Sequence, residues 1–116
     1  VTQEGDTGGI LRVGVRPGYE GLARMLVAAL EHAQRHKGHA RHGSSPIFEE
    51  QHMLTIRSEV GDGFTWGQAL KKAREARRRG DLAGALTEIH GAIAYLAGEG
   101  LALERELGGA GRVPKR

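Results

Sequence analysis

The chain has 116 residues, 4% of them aromatic, no cysteine and a net charge of +3. That length holds one hydrophobic core. Disulfides and thiolate metal sites are excluded, and Leu, Ile, Val and Ala are left to fill the interior, which suits closely packed helices better than a sheet. No run reaches the about 18 apolar residues that span a bilayer, and the first residues lack the basic start and apolar centre of a signal peptide. The expectation is a cytoplasmic protein with no membrane partner. Its mildly basic balance permits contact with nucleotides or nucleic acid.

Residues 1–18 are rich in glycine and polar residues. "ILRVGV" alternates enough to admit a short strand, but Gly14 and Pro17 favour an extended, flexible N-terminal arm. A helical domain over 19–107 follows. From Tyr19 to His36, Leu22, Met25, Leu26, Ala29, Leu30 and Ala33 recur at helical spacing and mark one apolar stripe. "HKGHARHGSSP" breaks the pattern as a loop. Ser45 and Pro46 then offer a cap and a first helical position for a helix over 46–60. Leu54 and Ile56 also alternate there, which leaves a strand open.

"GDGFTWG" reads as a turn with Thr65 as the cap of a third helix over 66–79, whose Leu70, Ala73 and Ala76 make a thin apolar seam. Gly80 ends that helix and Asp81 caps the next. Leu82, Ala85, Leu86, Ile89, Ala92, Ile93 and Leu96 then follow a heptad spacing that marks the central packing helix. Gly98 and Gly100 weaken its end, and residues 108–116 form a basic C-terminal tail. The fold class is therefore all-α: a four-helix bundle with an antiparallel C-terminal helical hairpin. The Ala-rich third helix offers little apolar area, so a homo-oligomer is expected.

Two segments carry a family resemblance. "LTEIHGAIAYL" presents Glu88 among apolar positions, and "MLTIRSEVGDG" places Glu59 and Asp62 three residues apart. Together they resemble the MazG-like all-α nucleotide pyrophosphohydrolases, over roughly residues 32–104. That family sets acidic residues on one helix and a Glu-x-x-Asp pair on a later one. Mg²⁺ takes oxygen ligands in octahedral geometry and neutralises a triphosphate, and carboxylates three or four residues apart leave a helix on one side. The resemblance implies Mg²⁺-dependent release of pyrophosphate from nucleoside triphosphates. Glu59, Asp62 and Glu88 would be the catalytic, metal-binding carboxylates, with Glu49 and Glu50 as further ligands and Lys72, Arg74 and Arg78 on the phosphates. The sequence departs from the pattern at Gly91, where the second motif has Asp, and at Ser58, where the first has its leading Glu. The site implied is a degenerate one.

The hairpin also resembles a single tetratricopeptide unit, with Ala73, Gly80, Asp81, Ala85, Ile89 and Ala92 at its packing positions, but no second copy follows at a fixed period. His32 and His36 share a helix face, with His39 and His42 beyond them in the loop; solvated histidines at a helix end are the expectation. In "KKAREARRR", Lys71, Arg74 and Arg78 line one face, suited either to solvent or to phosphates. The alternative function is therefore a non-catalytic helical interaction module that binds a protein partner or nucleic acid through its basic helix.

Overall fold

The computed structural model describes residues 9–35, 48 and 51–110. They form four helices: α1 (Glu20–Gln34), α2 (His52–Val60), α3 (Gly63–Arg78) and α4 (Leu82–Ala110). No strand occurs among the described residues, so the chain is all-α there, and neither "ILRVGV" nor Leu54–Ile56 pairs as a sheet. The expected caps Ser45 and Pro46, acidic Glu49 and Glu50, and His36, His39 and His42 lie outside the described residues. No helix among those described is long and apolar enough to cross a membrane.

Local chemistry sets the helix boundaries. Gly18 has φ +94° and its N–H donates to Glu20 Oε1 at 2.9 Å, which places a carboxylate at the positive end of α1. Gly61 stops α2 with φ +100°, a conformation that costs a side-chain-bearing residue dearly, and its N–H donates to the Arg57 carbonyl at 2.8 Å. Only Gly61 and Asp62 separate α2 from α3. At the start of α4, Asp81 Oδ2 accepts the Gly84 N–H at 2.7 Å, as expected of its cap. That bond, aided by the Arg79 cation, holds the Asp81 carboxyl below its ordinary value.

α3 and α4 make the most extensive contact, and α1, α2 and α3 all pack on α4. The α3–α4 pairing is antiparallel. Thr65 meets Glu99, Lys72 meets Glu88 and Arg79 meets Asp81, so positions rise on one helix as they fall on the other. Met53, Leu54, Ala69 and Tyr95 form the buried cluster, with Phe48 and Phe64 against it. Phe64 and Tyr95 meet edge-on, with ring centroids 6.3 Å apart.

The faces differ from expectation. In α3 the buried side is Thr65 and Ala69, with Lys72 and Ala76 half-buried on the same side, while Leu70 and Ala73 are exposed. Thr65 is not a cap; it is a fully buried residue in the first turn. In α4 the inward side carries Gly84, Glu88, Ala92, Tyr95, Gly98 and Glu99. The heptad ridge of Leu82, Leu86, Ile89 and Leu96 is exposed, turned roughly a third of a turn away. The reason is steric. Gly98 is buried, and a Cβ built there would stand 2.8 Å from Met53 Sδ. At Gly91 it would stand 3.3 Å from the Lys72 side chain. The glycine side lets α2 and α3 approach closely, and the helix continues through Gly98 and Gly100 to Ala110, past the expected boundary at 108.

Candidate functional site

Two acidic centres lie on the inward side of α4. The first is Glu88. Lys72 Nζ approaches its Oε1 at 3.3 Å from α3, and Arg79 Nη1 its Oε2 at 3.3 Å from the turn beyond. Both partners are dictated by the antiparallel hairpin, because Lys72 sits on the same side of α3 as Thr65 and Ala69. Around this pair opens a cleft of about 200 Å³, lined by His32, Lys72, Arg79, Thr87, Glu88 and the two glycines Gly84 and Gly91. His32 of α1 reaches the cleft beside His90, with ring centroids 5.7 Å apart. His90 Nε2 is buried without a hydrogen-bond partner among the described residues.

The second centre is Glu99, whose residue is only 2% exposed. Arg57 clamps it bidentately, donating from Nε to Oε1 and from Nη2 to Oε2, both at 2.9 Å. Thr65 Oγ1 donates to Oε1 at 2.5 Å. Arg57 Nη1 also reaches Glu106 Oε2 at 3.2 Å, one further step along α4. A buried carboxylate needs its charge paired and its lone pairs filled, and this arrangement supplies a cation and a hydroxyl. The bonds to Glu99 hold the Arg57 guanidinium in its charged form, above its ordinary value.

The implied metal set does not gather at one point in the single chain. Glu88 and Glu99 are three turns apart on α4, about 16 Å. Asp62 lies on the Glu99 side, one turn before Thr65, and Glu59 is exposed near the end of α2. No group of three or more His, Asp or Glu residues able to hold a metal occurs among the described residues. Of the three expected phosphate contacts, Lys72 is drawn inward to Glu88. Arg74 and Arg78 remain on the outer face of α3 with Lys71, all three exposed and without an ion pair among the described residues.

Sequence reasoning passed over Arg57, Thr65 and Glu99 as a set. A signal for them exists in the glycines. Gly84, Gly91 and Gly98 recur at a seven-residue spacing in α4, which marks one side for close approach, and Glu99 lies next to the third of them. A carboxylate beside such a side must have a buried partner. No protein-family model matches the chain, and no curated protein sequence and no solved structure matches it.

Proposed function

We propose that the chain is a non-catalytic helical interaction module that docks the phosphate backbone of a nucleic acid through the outer face of α3. The observation that carries this reading is the division of charge across α3. Its inward side holds Lys72 on Glu88, whereas Lys71, Arg74 and Arg78 stand on the opposite side, open to solvent. Cations at this spacing meet phosphates by Coulomb attraction and counterion release, without reading bases. The face carries no aromatic stacking platform between its cations, so backbone contact is the mode it supports. In this reading the four helices act as one bundle, and the ion pairs of Glu88 and Glu99 hold the basic helix in place.

The test is fluorescence anisotropy with a labelled duplex and a labelled single strand across a salt series. Three phosphate contacts give a slope of log K against log salt of about −2 to −3. The double charge reversal R74E/R78E abolishes binding and leaves the helical content unchanged. Absence of binding to either probe at low salt rejects the proposal.

A second reading rests on the resemblance to MazG-like enzymes and on Glu59 and Asp62, carboxylates one turn apart at the α2–α3 junction. Here the protein is a cytoplasmic hydrolase of nucleoside triphosphates, with Mg²⁺ held by Glu59, Asp62 and Glu88. It requires Glu88 to leave Lys72 and Arg79, and Asp62 and Glu88 to meet through rearrangement or a second chain. Pyrophosphate release that depends on Mg²⁺ and is lost in E59Q would establish it over the first reading.

A further inference from the structure

Two stripes run side by side along the outer face of α3, and every residue in them is exposed. One is Trp66, Leu70, Ala73 and Arg77; the other is Gly67, Lys71, Arg74 and Arg78. Both advance by steps of four, three and four, the period that keeps residues in line on a helix. Trp66 is the only tryptophan of the chain, and it is 48% exposed beside a Leu70 that is 52% exposed. Its neighbour on the second stripe is Gly67, where a built Cβ would meet nothing within 4 Å, so the surface on that side is open. Lys71, Arg74, Arg77 and Arg78 have no ion pair among the described residues. Glu75, the one acidic residue of α3, lies on the opposite side of the helix.

We propose that this face takes a single strand of nucleic acid rather than a duplex, with one unpaired base stacked on Trp66 and the neighbouring phosphates on the cations. This rests on the phosphate docking of the same face, to which the indole adds a choice of strand. Trp66 stands ahead of the cations, not between them, so it leaves their phosphate contacts as they are. Along the helix axis Lys71 lies about 7.5 Å beyond it, Arg74 about 12 Å and Arg78 about 18 Å. A duplex keeps its bases stacked on one another and offers no base face to a ring on a protein surface. A single strand can lay a base on the indole while its backbone follows the cations. Stacking of this kind accepts any base, so no sequence is read. A lipid surface fits less well. The apolar stripe has two large side chains, Trp66 and Leu70, before it ends in Arg77, which is too little to bury a helix face at an acyl boundary.

Trp66 reports on itself, because no other tryptophan contributes emission. Titrating the full chain with oligothymidylate is expected to quench that emission, whereas a duplex held through its phosphates leaves it unchanged. By anisotropy at one salt concentration, Trp66→Ala should bind the strand at least about fivefold more weakly and the duplex as before. Trp66→Phe should restore most of the loss. Both variants should keep the helical circular dichroism, since Trp66 is half exposed. Binding of the strand without quenching, or an equal loss on strand and duplex in W66A, would overturn the stacking and leave phosphate docking standing. Failure of the native chain to bind either nucleic acid would overturn both. Emission that shifts on phosphatidylglycerol vesicles, with neither nucleic acid bound, would assign the face to a lipid surface instead.

Discussion

Arg57 of α2 and Glu99 of α4 form a two-pronged ion pair, both N···O distances 2.9 Å, with Thr65 of α3 adding a third donor to the same carboxylate. Three helices thus converge on one buried oxygen pair.

Removing one partner should therefore cost far more than removing both. Arg57→Ala leaves Glu99 buried and without its cation, and a loss of about 3 kcal/mol or more is expected. Replacing the pair together, R57M/E99L, should recover most of it. Urea denaturation of the three proteins measures both effects. Equal losses in the single and double variants would mean that the pair itself, rather than the orphaned charge, supplies the stability.

Thr65 gives a smaller and more selective test. Thr65→Val keeps the shape and deletes the hydroxyl that Glu99 accepts from, so about 1–2 kcal/mol should be lost. Thr65→Ser keeps the donor and loses only a methyl group. If valine and serine have equal effects, the hydrogen bond contributes nothing.

The two glycines of "GEG" should respond oppositely to alanine. At Gly98 a Cβ would crowd Met53 Sδ at 2.8 Å, and overpacking of this kind costs about 1–3 kcal/mol. At Gly100 nothing lies within 4 Å, and the helical preference for alanine should stabilise by up to about 1 kcal/mol. Thermal melting of G98A and G100A decides the matter, and a shared sign would contradict the close approach of α2 to α4.

Asp81 carries a pH signature. Its carboxyl is held below the ordinary value of 3.8, first by the Gly84 N–H and further by Arg79. A group depressed on folding stabilises above its unfolded value and loses that contribution as the pH falls through its lower folded value. Melting temperatures of the native chain and Asp81→Ala should differ by a constant amount above about pH 4.5 and converge in more acidic solution. A gap that persists unchanged at pH 2 would remove the cap's charge from the explanation.

Glu88 distinguishes structural from metal chemistry. With Lys72 and Arg79 on its two oxygens, Glu88→Gln should lower stability by roughly 1 kcal/mol, equally with and without Mg²⁺. A difference between native and variant that grows with added Mg²⁺ would assign the carboxylate to a metal instead.

Much of the architecture was legible before any coordinates. The Gly80–Asp81 punctuation located the α3–α4 turn, because glycine ends a helix and aspartate caps the next one through its own side chain. The apolar period of α1 and α4 marked both as helices. These signals are local: they depend on a residue and its neighbours within a turn or two. The partners of Glu88 and Glu99 were not legible, since Lys72 lies sixteen positions from one and Arg57 forty-two from the other along the chain.

By itself the sequence determined that this chain is helical, where its last hairpin turns, and that α4 has a seam of large apolar residues. Only the tertiary structure decided which side of α4 faces inward. Leu82, Leu86, Ile89 and Leu96 lost that place to glycine, alanine, tyrosine and two glutamates, because α2 and α3 approach most closely where α4 carries glycine. Hydrophobic periodicity records how much a face gains by burial. It does not record which neighbour arrives, and at Gly91 and Gly98 steric room settled that choice.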